Sequence, residues 1–297
     1  MAIVLGPNQY GKSENRVVRV YRDTDRHEIR DLNVSTQLRG EFTEAHTSGD
    51  QADVLPTDTQ KNTAFAFAKE KGVKTIEEYA TTLAHHLIGQ TPKANGARVE
   101  VEEYAWERIP VNGDGHDHAF SRTGGAVRTT LVNVDEGKHW VVSGLKDLVL
   151  AKTTGSEFYG FLKDEYTTLP ETHDRILATS LLARWRYDHT DVDWDKSYDA
   201  IKALLLQRFA EIHSYALQQT LYGMGRSVLE QHPEVAEIKF SAPNKHHLLV
   251  NLSPFGVENP GEVFIAADRP YGLIEATVQR DDASAPGSAW LTSAGFC

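Results

Sequence analysis

Cysteine is almost absent from this 297-residue chain: the single one, Cys297, is the last residue and has no partner. That excludes a disulfide-stapled fold and points to a reducing, intracellular compartment. Long apolar runs are missing too. Met1-Ala-Ile-Val-Leu5 gives way at once to Gly6-Pro7, too short for a signal peptide's apolar region and far short of a membrane span. Lysine and arginine number 31 against 42 acidic residues, a formal charge of −11. A field of that sign opposes a nucleic-acid partner, whose phosphates need neutralising. A small anionic substrate stays within reach if a few cations are placed locally. Cofactor signatures are also lacking: there is no Gly-x-Ser-x-Gly elbow and no Cys-x-x-Cys pair. Gly223-Met-Gly225 is followed by Val228 where a dinucleotide fingerprint needs glycine. His116-Asp117-His118 lies in a Gly/Asp-rich turn without a third ligand at metal-site spacing. No metal and no organic cofactor are expected.

What is present is a patterned chain, 40% hydrophobic, long enough for two domains or one built twice. Arg16–Tyr21 and Ile29–Phe42 alternate as two antiparallel strands. After Pro56 the period changes to 3.6, with Ala64, Phe65 and Ala68 on one face, then Ile76, Tyr79, Ala80, Leu83, Ala84, Leu87 and Ile88. The first helix offers a Thr57-x-x-Gln60 capping box and the second a Thr75-x-x-Glu78 box. Strands resume through Val99, Val101 and Trp106 and, after a turn-rich stretch around Gly113 and Gly124, through Ala126–Val134. The second half repeats the order: strands near His139–Lys152 and Ile176–Tyr187, helices carrying Trp194 to Ile212 and Leu217 to Val228, then a strand pair from Val235–Ser241 and Leu248–Leu252. Val263–Ala267 and Ile274–Val278 add further β character, and the Ala/Ser/Gly-rich tail from Asp281 reads as a surface or subunit-crossing segment. The expected class is α+β: tandem ββααββ units, 1–135 and 136–297, whose antiparallel sheets carry helices on one face. The open sheet edges and bare face of such units would be buried by closing a β-barrel on oligomerisation.

Several segments in order along the chain resemble the urate oxidase (uricase) family: Tyr10-Gly-Lys12, Val54-Leu-Pro-Thr-Asp-Thr-Gln-Lys-Asn-Thr63, Phe158-Tyr-Gly-Phe161, Asp164-Glu-Tyr-Thr-Thr-Leu169 with Asp174-Arg-Ile176, Gln218-Gln-Thr-Leu-Tyr222, and Pro243-Asn-Lys-His246. The resemblance implies the tunnelling fold, a homotetramer with active sites at subunit interfaces, and oxidation of urate by O2 and water to 5-hydroxyisourate and hydrogen peroxide in purine breakdown. It implies further that no cofactor takes part. The rival readings are another tunnelling-fold enzyme acting on a pterin or purine, and a purine-binding protein without catalysis.

The same resemblance assigns roles that suit a flat, anionic purine. Arg175 would give a charge-assisted double donor, worth roughly 1.5–3 kcal/mol, and Gln218 a coplanar donor and acceptor. Phe158 would lie under the ring, Leu217 would offer its backbone N–H, and Asp58 would likewise use mainly its N–H. Lys12, Thr57 and His246 match the family's proton relay, which makes urate electron-rich enough to reduce O2 one electron at a time. Asn244 would hold O2, or the water that follows it. Taken without the resemblance, these residues default to bland roles: Lys12, Arg175 and Gln218 to solvated faces, Phe158 to a core, Thr57 to a helix cap, His246 to a strand surface. The ending Gly295-Phe-Cys297 is not a peroxisomal address, so a cytoplasmic location is expected.

Overall fold

Alternating residues along Leu32-Asn-Val34 and Val99-Glu-Val101 send every second side chain to one side, and in the computed structural model, which describes residues 2–291, those side chains are buried. The elements in chain order are β1 (Gln9–Tyr21), β2 (Glu28–Gly40), α1 (Thr43–Thr47), α2 (Thr57–Glu70), α3 (Ile76–Gly89), β3 (Ala94–Tyr104), β4 (Trp106–Val111), β5 (Asp114–Arg122), β6 (Val127–Asp135), β7 (Lys138–Lys152), β8 (Leu177–Tyr187), α4 (Trp194–Glu211), α5 (Leu217–Gln231), β9 (Val235–Leu249) and β10 (Phe264–Gln279). The chain divides into two compact units. One comprises Met1–Gly144, Arg186–Asp195 and Ser284–Cys297, the other Leu145–Trp185 and Lys196–Ala283.

In the first unit β1, β2, β3 and β6 pair antiparallel in that order. Leu32, Val34, Leu38, Val99, Val101 and Val132 are all but fully buried, and so are Ile76, Ala80, Leu83, Ala84 and Leu87 on one stripe of α3. That stripe is the one the 3.6 period predicts. Thr75 caps α3 as expected, its side chain accepting from the Glu78 N–H at 3.2 Å. Tyr79 ties the two helices together by donating its hydroxyl to Ala64 O at 2.7 Å. Inside this unit sits an ionic cluster, buried at Glu77 and Arg128 and open to water at Asp195. Arg128 donates to Glu77 at 2.9 Å and to Asp195 at 2.5 Å, while Ser143 Oγ donates to the other Glu77 oxygen at 2.6 Å. The Glu77 side chain is 0% exposed.

The turn-rich stretch after Trp106 differs from expectation. It is a hairpin, β4 with β5, in which Val111 pairs with Asp114 across Asn112-Gly113. Asn112 and Gly113 both have positive φ, 54° and 93°, the geometry of a two-residue turn whose twist matches that of its strands. The tail also gains a definite place: residues 284–291 belong to the first unit, where Asn133 Nδ2 donates to both Ala289 O and Leu291 O. Ala289 joins Leu131 and Val142 in a small core flanked by Trp140 and Trp290. Cys297 and the rest of the ending Gly295-Phe-Cys297 lie outside the described residues.

In the second unit the expected pair Val235–Ser241 with Leu248–Leu252 is corrected. Those residues run, up to Leu249, in one strand, β9, and its partner is β10, itself continuous over the two stretches read separately. Pro243 and the Arg269-Pro-Tyr-Gly272 stretch break the alternation locally, which makes each strand read as two. The ladder absorbs the interruption in β10: Ala267 pairs with His246 and Gly272 with Asn244, so the residues between them bulge out opposite Lys245. Trp185, Ile201, Leu205, Val228 and Ile238 fill this unit's core. Among the described residues no helix is long and apolar enough to cross a membrane.

Replacing Arg128 by alanine removes the cation beside a carboxylate that has no access to water. We expect a loss of about 3–5 kcal/mol in urea unfolding, the usual cost of breaking a desolvated pair by removing one partner. A loss of only ~0.5 kcal/mol, typical of an exposed pair, would contradict the buried cluster.

Candidate active site

The first unit assembles its candidates around the start of α2. The residue before the helix is Pro56, with φ −55° and ψ 142°, which carries no acceptor to cap it. The first intrahelical bond runs from Gln60 N to Pro56 O at 3.1 Å, which leaves the N–H groups of Thr57, Asp58 and Thr59 ahead of the helix's own ladder. The capping box expected from Thr57 and Gln60 does not form. Thr57 is instead the first helical residue, half-buried, and the Gln60 side chain turns inward, where Thr36 Oγ1 donates to its Oε1 at 2.8 Å. Thr36 pairs with Lys12 across β1 and β2, so one buried bond fixes the helix start relative to that lysine.

Lys12 is half-buried and lies where β1 bulges, pairing with Thr36 while Asn15 pairs with Val34. Gly11 beside it cannot be replaced without movement, because a Cβ there would stand 1.8 Å from Thr36 O. The Asp58 carboxylate is occupied by its own helix. It is ion-paired with Lys61 and accepts from Asn62 Nδ2 at 3.1 Å, and Lys61 holds it below the usual carboxylate range, with a smaller pull from Lys12. The carboxylate, though exposed, is thus engaged within α2, and the Asp58 N–H lies ahead of the helix's own ladder. Tyr10, Phe42, His46, Val54, Pro56 and Thr57 are among the residues lining a cavity of about 530 Å³ beside this point. Tyr10 and Phe42 meet edge to face there at 4.9 Å. Phe42 and His46 are residues that the motifs did not single out.

The second unit repeats the device with other residues. α5 begins after Ala216, whose extended backbone (φ −164°, ψ 153°) suits a cap but whose side chain cannot supply one. Leu217 and Gln218 are its first two residues. Leu217 is buried by its side chain, and Gln218 is exposed. Behind the helix start, Thr220 Oγ1 donates to Ser214 Oγ at 2.8 Å, a buried bond. Ser214 bridges to Ser156, and its carbonyl accepts from Glu157 N at 2.7 Å. The next residue, Phe158, pairs with Thr172 through bonds of 2.8 and 2.9 Å. Arg175 N then donates to Ser156 O at 2.9 Å, and Arg175 Nε to Ser156 Oγ at 3.3 Å.

These bonds bring the segments that carry Phe158 and Arg175 up to the segment that leads into Leu217 and Gln218. The Arg175 guanidinium lies 5.1 Å from the Phe158 ring centroid, and Phe161 stacks on Phe158 at 4.9 Å with 15° between planes. Arg175 makes no ion pair among the described residues, and burial draws it below the usual guanidinium range. A half-buried cation without a counter-ion, beside an aromatic shelf and an uncapped helix, favours a flat anion. Asn244 and His246 stand two residues apart on β9, hence on one face, on either side of the β10 bulge. No hydrogen bond or ring contact among the described residues joins them to the Phe158 shelf. Nor does any group of three or more His, Cys, Asp or Glu among the described residues offer a metal cage.

Antiparallel strands backed by helices, with two ββαα-type halves in one chain, define the tunnelling-fold class of α+β proteins. A model of the uricase family matches residues 8–133 and 141–275. The uricase of Arthrobacter globiformis is 54% identical over 295 residues, covering 99% of this chain and 96% of that protein. The uricase of the rabbit, Oryctolagus cuniculus, is 37% identical over 280 residues, covering 91% and 93% respectively. The crystal structure of the Arthrobacter globiformis uricase superposes with a TM-score of 0.94 over 98% of this chain and 99% of its own. The chain belongs to the uricase family, the urate-oxidising oxidoreductases.

The missing cap at residue 216 can be supplied. Ala216→Ser should raise stability by about 0.5–2 kcal/mol in thermal unfolding, because its hydroxyl then accepts from the first turn of α5. The same bond engages an N–H that would otherwise face a ligand, so KM for urate should rise. Unchanged stability together with unchanged KM would contradict the uncapped helix start described above.

Proposed function

We propose that this chain oxidises urate with O2 and water to 5-hydroxyisourate and hydrogen peroxide through its own side chains, and that one half-site binds the purine while the other moves its protons. The observation that carries this reading is the complementary content of the two units. One offers a cation, an amide and an aromatic shelf around an uncapped helix. The other offers an amine and a hydroxyl around a second uncapped helix.

Arg175 binds the rim of urate through two parallel donors, Gln218 the opposite edge, and Phe158 the ring face. The N–H groups of Leu217, Thr57 and Asp58 donate to its carbonyl oxygens. Lys12 draws a proton from urate through the Thr57 hydroxyl, which accepts from one neighbour as it donates to the other, and His246 takes part at the far end of that relay. The electron-rich purine then gives up two electrons, one at a time, to O2. Water adds to the oxidised ring, the two protons and two electrons leave as hydrogen peroxide, and Asn244 holds O2 and afterwards the water. The halves serving one site come from different protomers of a homotetramer in which pairs of chains close β-barrels, with residues 1–135 and 136–297 as the repeated units. The enzyme works in the cytoplasm, in purine breakdown.

Mixing the protein with urate should consume the ultraviolet band of urate and dissolved O2 together; urate loss without O2 uptake, or no loss, sinks the proposal. Lys12→Met and Thr57→Ala should lower kcat by about 10²–10⁴-fold with purine binding largely kept. Arg175→Ala should instead weaken binding roughly 10- to 100-fold. Equal loss of binding in all three variants would contradict the division of labour. For the shared site, co-refolding Thr57→Ala with Arg175→Ala chains and assaying at urate well below the raised KM should restore part of the activity, since some sites then draw both halves from intact units. A mixture as inactive as its components would place each site within one chain.

A further inference from the structure

Glu157 is a charged residue that none of the roles above employs, although it sits directly before Phe158. Its carboxylate reaches two other segments of the second unit. Oε1 is 2.5 Å from His213 Nε2 and Oε2 is 3.3 Å from His173 Nδ1. His213 stands just before Ser214 and the start of α5, and His173 lies two residues before Arg175. The three purine-holding groups thus ride on three segments that one side chain bonds together. Its exposure sets it apart from an ordinary surface pair: the Glu157 side chain is 15% exposed, against 51% for His213 and 74% for His173. Each imidazole is in turn held by a ring, His173 against Tyr159 at 4.5 Å and His213 against Tyr215 at 5.1 Å.

Resting on the reading that Phe158, Arg175 and Gln218 hold urate, we infer that Glu157 is a positioning residue for purine binding, clamping through His213 and His173 the three segments that carry them. The backbone ladder already brings the segments side by side, so the clamp adds little to global stability, in line with the small worth of partly exposed ion pairs. Its effect falls on the spacing between ring, guanidinium and helix start, and a planar ligand held from three sides is sensitive to sub-ångström displacement.

The sign of the effect separates positioning from charge. Removing a negative charge near an anion site should tighten urate binding by Coulomb's law; loosening the clamp should weaken it. Glu157→Ala is therefore expected to raise both KM for urate and the Kd of xanthine, a purine probe measured by calorimetry, about tenfold. kcat and the melting temperature should stay near wild type. Glu157→Gln removes the charge and keeps one of the two oxygen acceptors, its amide NH2 standing opposite the second imidazole as a donor to an unprotonated ring nitrogen, and it should bring KM and Kd back towards the wild-type value. Unchanged or tightened binding in Glu157→Ala overturns the inference, as does a Glu157→Gln variant as weak as Glu157→Ala. Arg175→Ala serves as the control. If it too leaves xanthine binding unchanged, the purine-binding reading fails; if it weakens binding while Glu157→Ala does not, the clamp alone fails.

Discussion

The first amides of an α-helix have no partner inside the helix, and α2 and α5 begin after Pro56 and Ala216, neither of which can accept a bond from them. α3 follows the ordinary rule, closed by the Thr75 hydroxyl. A cap stabilises its own helix by about 0.5–2 kcal/mol and at the same time uses up donors that would otherwise be open to a ligand. Both uncapped helices are instead held from behind, α2 by the buried Thr36–Gln60 bond and α5 by the buried Ser214–Thr220 bond. The open ends are therefore fixed in place without being satisfied, and the other parts of each half-site are arranged around them.

Bulged strands complete the arrangement. β1 shifts register just after Lys12, and β10 shifts opposite the stretch of β9 that carries Asn244 and His246. A regular ladder dictates the direction of every side chain, whereas a bulge re-aims the residues beside it without ending the strand. Gly11 shows how tightly the first of these is built, since its backbone approaches Thr36 too closely for any side chain. The ordinary pattern of sheet and helix builds the units, and its local violations fall beside residues proposed for the chemistry.

That division explains what could be read from the sequence. The helical stripe of α3 and the alternation of β2 follow from period alone, because their residues obey burial on one face, whereas Phe65, expected on the buried face of α2, is exposed, and β6 is buried on both faces. β9 and β10 read as fragments because Pro243 and Pro270-Tyr-Gly272 break the alternation, and only pairing between the two strands shows each to be continuous. Thr57 was legible as a helix start, but the first helical residue and the cap differ by one position, and only the inward turn of Gln60 decides between them. Lys12, Arg175, Phe158 and Gln218 have no local signal that lifts them above solvated or core residues; the family resemblance singled them out. Glu157, His173 and His213 gave no signal because they are distant in sequence and meet only through the ladder around Ser156 and Ser214.

The placement of residues 284–291 bears on how the chain comes to be folded. They close over Leu131, Val142 and Trp140 in a unit whose other residues lie before 145 or between 186 and 195. A chain emerging from the ribosome thus completes this unit only after the intervening unit has been made in full. Until then Asn133 lacks the two carbonyls it bonds, and the apolar patch around Trp140 stays open to water. The strands made earlier therefore depend for their final cover on a stretch translated well after them, and the nascent protein carries an unprotected hydrophobic face throughout the synthesis of the intervening unit.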